Sequence, residues 1–185
     1  MSQHKRLSVC VYCGSRDGAD PAFAEAADAV GALLAENGYR LVYGAGDVGL
    51  MGRVARAAQA GGAETLGVIP THLMALEVGK ADLTTLIVTE TMHERKKVMF
   101  MNADAVVALP GGAGTLDELF EALTWRQLGL HQKPVILLNT ANYWGPLIEM
   151  IAHLVDRGFA DRSFLDYLQV INTPDQLRAA LRDLS

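Results

Sequence analysis

The sequence predicts a doubly wound α/β domain in which a mostly parallel sheet is flanked by helices. Strand-like and helix-like segments alternate along all 185 residues. The strand-like segments are almost entirely apolar, as expected for strands that are covered on both faces. Three of these strands run directly into glycine-bearing turns. Because ligands bind beyond the carboxyl ends of such strands, we predict one Rossmann-like domain over residues 1–185, with a pocket at that edge.

The first half of the chain carries clear start and stop signals. Asp20 is a helix N-cap followed by Pro21 at the first helical position, and Asn37-Gly38 ends that helix. Gly61-Gly62 stops the second helix, and Pro70 ends the third strand. The predicted elements are a strand at 7–12, a helix at 21–36, a strand at 40–43, a helix ending at 60, and strands at 65–69 and 86–89.

The second half continues the alternation. The predicted elements are a helix at 92–102, a strand at 105–109, a helix at 116–128, a strand at 134–138, a helix at 146–157, and an edge strand at 168–171. Thr173–Gln176 has the form of a capping box and starts a final helix. We find no linker, repeat or low-complexity segment in the sequence.

The most informative stretch is Pro110–Glu118, which connects an apolar strand to a helix through three glycines. Glycines at such a turn expose backbone N–H groups, and the helix N-terminus adds partial positive charge, so the pattern is typical of a phosphate site. Asp117 and Glu118 place carboxylates beside it. A simple phosphate cradle gains nothing from them, whereas a site that cleaves a phosphorylated sugar can use one.

A structural interpretation of the same residues stays open at this point. Thr115 and Glu118 fit a capping box, with threonine at the N-cap and glutamate three residues later. On that interpretation Glu118 only accepts a hydrogen bond from a backbone N–H.

The stretch Gly44–Gly49 contains a G-x-G-x-x-G pattern, which on its own is a weak signal. It follows the second predicted strand rather than the first, and a ribose-binding acid would fall near Glu64, before a strand rather than after one. NAD is therefore a poor fit. The turn remains a candidate wall of a nucleotide pocket.

The segment Met92–Lys97 places three basic residues at a helix N-terminus, where they oppose the helix dipole. A solvated basic face is the simple explanation. Arg95, however, shares a helix face with Met99 and Asn102, which predicts that it points inward as a bidentate donor. His93 is interpreted as a surface or interface residue.

The composition of the chain argues against several classes of function. The net charge of −5 argues against nucleic acid or an anionic membrane as the main partner. Apolar runs are too short to span a bilayer, and no signal peptide is visible, which predicts a cytoplasmic protein. Cys10 and Cys13 form a C-x-x-C pair, but no second pair completes a zinc site, and Cys10 lies in a predicted strand. We expect neither a metal nor a redox role.

Two of these segments together resemble the LONELY GUY family of cytokinin riboside 5′-monophosphate phosphoribohydrolases, often labelled "possible lysine decarboxylase". Met92–Lys96 contains the family's R-K pair, and Pro110–Glu118 matches P-G-G-x-G-T-x-x-E in full. Similarity at 13–15, 49–52 and 124–129 extends the resemblance over nearly the whole chain. One departure is Ala45, where the family commonly has glycine. No lysine lies in a recognisable pyridoxal-phosphate context, so the sequence gives decarboxylation no support.

The resemblance implies that Arg95 and Glu118 are the catalytic pair, that no cofactor is needed, and that the protein is a homodimer. It places Lys96, Glu77 and Thr124 at the nucleotide. Together with the glycine turns, the candidate substrate contacts are Ser15, Gly44, Gly46, Glu77, Met92, Lys96, Gly111, Gly112, Ala113, Gly114, Thr115, Leu116, Asp117 and Thr124.

The expected reaction is hydrolysis of the N-glycosidic bond of a nucleoside 5′-monophosphate, plain or cytokinin-type, to the free base and ribose 5-phosphate. A carboxylate at Glu118 would stabilise an oxocarbenium-like sugar and activate water. Two alternatives remain at this stage. One is a non-catalytic carrier of a nucleotide or of the molybdenum cofactor, and the other is a hydrolase that releases phosphate instead of the base.

Overall fold

The computed structural model describes residues 6–77 and 82–184, and within these residues it shows a single seven-stranded parallel sheet. The elements are, in chain order, β1 (Ser8–Tyr12), α1 (Pro21–Glu36), β2 (Arg40–Tyr43), α2 (Gly49–Ala60), β3 (Thr65–Pro70), α3 (Thr71–Glu77), β4 (Thr85–Thr89), α4 (Met92–Met101), β5 (Ala105–Ala108), α5 (Ala113–Gln127), β6 (Val135–Leu138), α6 (Gly145–Asp156), β7 (Leu168–Ile171) and α7 (Pro174–Arg182).

The strand order is β4-β3-β2-β1-β5-β6-β7, so the chain winds outward from the centre in both directions. The switch point lies between β1 and β5, where Tyr12 pairs with Ala108. The turns that follow these two strands are therefore neighbours, and the Gly14 N–H donates to the Pro110 carbonyl at 3.0 Å. This is the place where a doubly wound sheet binds ligands.

Two apolar layers cover the sheet, one on each face. The first contains Leu34 of α1, Val54 of α2 and Leu181 of α7. The second contains Phe100 of α4 and Leu123 of α5. Successive residues of a strand alternate between the layers, as the period of two requires. The parallel α/β architecture predicted from the apolar strands is confirmed.

The predicted boundaries hold within a residue or two for most elements, but the start of α5 is corrected. The helix begins at Ala113 with Gly112 as its N-cap, and no side chain caps it. Thr115 is thus the third residue of the helix and not its N-cap. The capping-box interpretation of Thr115 and Glu118 is therefore wrong. Helix α3, which directly follows β3, has no counterpart in the prediction.

A complete capping box occurs instead at α4. The Thr91 side chain accepts from the Glu94 N–H at 3.2 Å, and the Glu94 carboxylate accepts from the Thr91 N–H at 3.2 Å. Glu94 thereby places negative charge at the helix N-terminus, which offsets the unfavourable basic residues there. Across the described residues, no helix combines the length and apolarity needed to cross a bilayer.

Candidate active site

A cleft of about 520 Å³ opens at the carboxyl edge of the sheet, at the switch point between β1 and β5. The turn after β1 forms one wall, and the glycine loop with the first turn of α5 forms the other. The predicted residues that line it are Ser15, Met92, Arg95, Gly111, Gly112, Ala113, Gly114, Thr115, Asp117 and Glu118. The structure therefore brings most of the predicted site together in one place.

The glycine loop is packed tightly at one end and open at the other. A Cβ on Gly111 would lie 2.1 Å from the Thr115 hydroxyl and 2.8 Å from the Gly14 nitrogen, so only glycine fits there. Gly112 and Gly114 meet no such obstacle and face open space. The first N–H groups of α5 have no intrahelical acceptor. This end of the helix can therefore bind an anion in the cleft.

Glu118 lies one helical turn beyond Thr115, where it lines the cleft and is partly buried. Burial raises its pKa to about 7, although the positive charge of Arg95 opposes this shift. The nearby Asp117 raises the pKa as well, and Lys96 lowers it. A carboxyl group with a pKa near neutrality can both accept and return a proton at physiological pH.

The Arg95 side chain is 5% exposed and points inward from α4, as predicted. Its Nε donates to the Val68 carbonyl at 3.1 Å, and its Nη2 donates to the Gly44 carbonyl at 2.6 Å. These carbonyls lie at β3 and just after β2. Arg95 is therefore anchored on the carboxyl edge of the sheet while it lines the cleft beside Glu118.

Lys96 is also buried, but it is not part of the cleft wall. Its ammonium donates to the Asp117 carboxylate at 2.8 Å and contacts the Glu121 carboxylate at 3.1 Å. Burial by itself lowers the pKa of Lys96, but the hydrogen bonds to these two carboxylates outweigh it, and the net shift is upward. Lys96 therefore neutralises the acidic cluster that surrounds Glu118.

Four other predicted contacts lie away from the cleft wall, namely Gly44, Gly46, Leu116 and Thr124. Gly44 lies behind Arg95, since a Cβ there would be 2.1 Å from Nη2. Gly46 is buried and donates its N–H to the Met51 sulfur at 3.2 Å. Leu116 packs against the second apolar layer.

Thr124 is exposed farther along α5. Glu77 is the last residue of α3, and its side chain lies outside the described part of the structure.

Several cleft residues were not predicted from the sequence. Arg16 lies exposed at the rim and adds a positive charge near the glycine loop. Phe23 of α1 and Tyr143, in the turn after β6, form an aromatic side of the cleft. Arg16 and Tyr143 both follow strands of the sheet, so the rule that ligands bind beyond the carboxyl ends was the available signal.

Trp125 is partly buried and packs edge-to-face on Phe100, with ring centroids 5.0 Å apart, against the second apolar layer. Cys10 and Cys13 are buried free thiols, and burial raises the pKa of both well above that of an ordinary cysteine. Neither has the lowered pKa of a reactive cysteine. Within the described ranges, no three His, Cys, Asp or Glu side chains cluster in a way that could hold a metal ion.

Comparison of the sequence with known proteins identifies the family of this chain. Residues 51–181 match the family model described as "Possible lysine decarboxylase". A cytokinin riboside 5′-monophosphate phosphoribohydrolase of Arabidopsis thaliana is 48% identical over 158 residues, covering 85% of this chain and 72% of that protein. The protein of the same name from Rhodococcoides fascians is 45% identical over 153 residues, covering 82% of this chain and 77% of that protein.

Solved structures show the same fold at lower sequence identity. The molybdenum cofactor binding protein of Rippkaea orientalis superimposes with a TM-score of 0.76 at 24% identity, covering 98% of this chain and 99% of that one. The molybdenum cofactor carrier protein of Chlamydomonas reinhardtii gives 0.75 at 22% identity, covering 97% and 98%. At such identities the likeness extends to the fold alone. The sequence matches go further, and the chain belongs to the LONELY GUY (LOG) family of cytokinin riboside 5′-monophosphate phosphoribohydrolases.

Proposed function

We propose that this protein hydrolyses the N-glycosidic bond of an adenosine-type 5′-monophosphate, plain or carrying a cytokinin side chain. The products are the free base and ribose 5-phosphate. The observation that carries the proposal is the position of Glu118, which lines the same cleft as the glycine loop and has a pKa of about 7. Family membership and the names of the relatives support the same reaction.

The 5′-phosphate binds at the start of α5 in this proposal. The N–H groups at the start of α5, which have no intrahelical acceptor, and the helix dipole supply an anion site, and Arg16 adds charge at the rim. Glu118 follows Thr115 by three residues, or about 4.5 Å along the helix axis. A sugar held by its phosphate at the loop therefore has its C1′ within reach of the Glu118 carboxylate.

The chemistry requires the C1′–N bond to break with its electron pair leaving on the base. Positive charge then develops on the ribose, and the ionised Glu118 stabilises it. Water adds to C1′ and gives a proton to Glu118, and a proton is returned to the departing base. One water is consumed for each base and ribose 5-phosphate released.

Arg95 holds the site in its active geometry. Its guanidinium is fixed by the carbonyls of Gly44 and Val68. From there it lowers the pKa of Glu118 against the larger effect of burial, and it offers a cationic group to substrate oxygens. Lys96 supports the same arrangement by holding Asp117 and Glu121.

A carrier function is the second candidate, because the structural neighbours include a molybdenum cofactor binding protein and a molybdenum cofactor carrier protein. A carrier needs the anion-binding loop but has no use for a carboxyl group of raised pKa beside Arg95. Incubation with AMP followed by chromatography separates the possibilities. Adenine and ribose 5-phosphate support the proposal, adenosine and free phosphate indicate a phosphatase, and unchanged AMP favours a carrier.

The identity of the base is settled by the same assay over a panel. We propose comparing AMP with isopentenyl-AMP, GMP, CMP and the corresponding nucleosides in steady state. Phe23, Met51, Leu73 and Met92 give the cleft apolar surface that suits a purine or a prenyl side chain. A preference for GMP or CMP over both adenine nucleotides would contradict an adenosine-type substrate.

The assembly and the location belong to the same proposal. We propose a cytoplasmic homodimer. Met101, Leu128 and Leu130 are each more than 60% exposed at the neighbouring ends of α4 and α5, which supports an apolar contact between copies. The two free thiols are compatible with a reducing compartment. Light scattering at micromolar concentration tests the dimer, and a monomer mass would contradict it.

A further inference from the structure

Tyr143 lies at the side of the cleft and contacts the glycine loop through its hydroxyl. That hydroxyl donates a hydrogen bond to the carbonyl oxygen of Gly111 at 2.5 Å. Its ring packs edge-to-face on Phe23, with centroids 5.4 Å apart, and both rings line the cleft. Tyr143 thus connects the turn after β6 to the loop at the start of α5.

The turn that carries Tyr143 has an unusual backbone. Ala141 and Asn142 both adopt left-handed conformations, with φ of 50° and 57°. Such φ values are unfavourable for alanine, although asparagine tolerates them, and they persist where the surrounding structure fixes them. Asn139 supplies that fixation, because its side chain accepts from the buried Trp144 N–H at 2.7 Å and donates to the Asn142 side chain at 3.2 Å. The direction of Tyr143 is therefore set by its own turn.

The hydrogen bond has a consequence for the peptide between Gly111 and Gly112. In a planar trans peptide the C=O and the following N–H point in opposite directions. Fixing the Gly111 carbonyl therefore fixes the Gly112 N–H as well. A peptide between two glycines would otherwise rotate easily, because glycine tolerates both signs of φ. The preceding peptide is anchored independently, through the bond from the Gly14 N–H to the Pro110 carbonyl.

We propose that Tyr143 is a positioning residue that holds the Gly111–Gly112 peptide in the orientation needed to bind the 5′-phosphate. This inference rests on the proposed function of the glycine loop as a phosphate site. Tyr143 has no role in bond cleavage on this view. It raises affinity for any ligand whose phosphate occupies the loop, and it acts equally on the ground state and the transition state.

The test is Tyr143→Phe, which removes the hydroxyl and keeps the ring against Phe23. Tyr43→Phe is the matched control, because the buried Tyr43 hydroxyl has no hydrogen-bond partner within the described structure. Titration calorimetry gives the Kd of ribose 5-phosphate and of inorganic phosphate, and steady-state kinetics gives KM and kcat for AMP. Thermal unfolding checks that each variant is folded.

We expect Tyr143→Phe to raise the Kd of both ligands and the KM for AMP about three- to tenfold, which is the usual effect of one lost hydrogen bond. The kcat should stay within about twofold, since uniform binding is lost. Tyr43→Phe should leave all four values unchanged. Unchanged Kd and KM in Tyr143→Phe would overturn the inference, and so would a lower kcat with an unchanged Kd for ribose 5-phosphate.

The two proposals fail in distinguishable ways. If the wild type does not hydrolyse AMP but Tyr143→Phe still weakens phosphate binding, the proposed reaction is wrong and the positioning role stands. If the wild type binds neither ribose 5-phosphate nor inorganic phosphate, the loop is no phosphate site and the positioning role is refuted.

Discussion

The Arg95 guanidinium packs directly against the backbone of Gly44, which has no Cβ to obstruct it. The Arg95 Nη2 donates to the Gly44 carbonyl at 2.6 Å, and a Cβ on Gly44 would lie only 2.1 Å from that nitrogen. The glycine after β2 is thus required for the position of the arginine, although it does not line the cleft itself. The second glycine turn serves the site indirectly, through its contact with Arg95.

Gly44→Ala is therefore expected to impair catalysis more than folding. The new methyl group would displace the flexible end of Arg95, so the guanidinium would no longer lie beside Glu118. We expect kcat/KM for AMP to fall at least about tenfold, since misplacing a catalytic group by about 1 Å can cost up to a hundredfold. The unfolding midpoint should move by only a few degrees. A folded variant with wild-type kcat/KM would contradict this role of Gly44.

The pH dependence of turnover should report Glu118. In the proposed mechanism the ionised carboxylate is the active form, and burial raises the pKa of Glu118 to about 7. The kcat/KM for AMP is therefore expected to rise with pH through about 7 and to level off above it. A rate that is flat from pH 5.5 to 8.5, measured with the same buffer ions, would contradict an ionised Glu118 as the working group.

Stability should follow the opposite trend over the same range. The folded-state pKa of Glu118 lies above its ordinary value of 4.5, so the folded protein binds the proton more tightly than the unfolded chain. The stability that Glu118 contributes is complete below about pH 4.5 and is lost as pH rises through about 7. Glu118→Gln should therefore raise the free energy of unfolding by about 1–3 kcal/mol at pH 8.5 and change it little at pH 4.5. Denaturant unfolding at both pH values measures this difference.

Sequence periodicity was sufficient to predict the sheet and the position of the cleft. Apolar strands with glycine turns predicted a parallel sheet with a pocket at its carboxyl edge, and residues 14–18 and 111–115 line that pocket. The start of α5 was predicted wrongly because Gly112 and Gly114 are poor helix formers, which favoured a start after them. Tertiary packing overrides that propensity, since Thr115 is buried against Gly111.

The basic segment at the start of α4 shows why the side-chain contacts of the site could not be predicted from the sequence. Arg95, Lys96 and Lys97 are similar in sequence, yet the first two are buried and the third is exposed. Lys96 is buried because Asp117 and Glu121 of α5 provide carboxylates for it. Such an ion pair between two helices forms only because the folded chain packs α4 beside α5, and the local sequence does not show this packing. The proposed role of Tyr143 depends in the same way on the left-handed residues Ala141 and Asn142, which no periodicity reveals.

Lys96→Met tests whether this pairing tunes the site. Loss of the ammonium leaves Asp117 and Glu121 beside Glu118 without their counter-ion. Since Lys96 lowers the pKa of Glu118, its removal should move the acid limb of the pH–rate profile to higher pH. We expect turnover at pH 6.5 to fall more than turnover at pH 8.5. Lys97→Met, an exposed neighbour on the same helix, is the matched control and should leave the profile unchanged.

Substrate selection should depend on the phosphate. In the proposed mechanism, the glycine loop and the N-terminus of α5, which line the cleft, bind the phosphate that nucleosides lack. AMP should therefore be hydrolysed with a kcat/KM at least about a hundredfold above that for adenosine, because the phosphate contacts anchor the sugar at Glu118. Equal turnover of AMP and adenosine, followed by release of adenine, would remove the glycine loop from the mechanism.

The most direct measurement is AMP hydrolysis by Glu118→Gln at pH 8, beside Glu94→Gln as the matched control. Glu94 undergoes the same chemical change, but it is exposed and its carboxylate accepts from the Glu90 and Thr91 N–H groups at the start of α4, where glutamine also functions. We expect Glu118→Gln to stay folded and to bind AMP but to lose about 10²–10⁴-fold in kcat, because the amide neither accepts the proton nor bears the charge. Glu94→Gln should retain wild-type turnover. A folded Glu118→Gln protein that releases adenine at a near wild-type rate would contradict the catalytic role of Glu118.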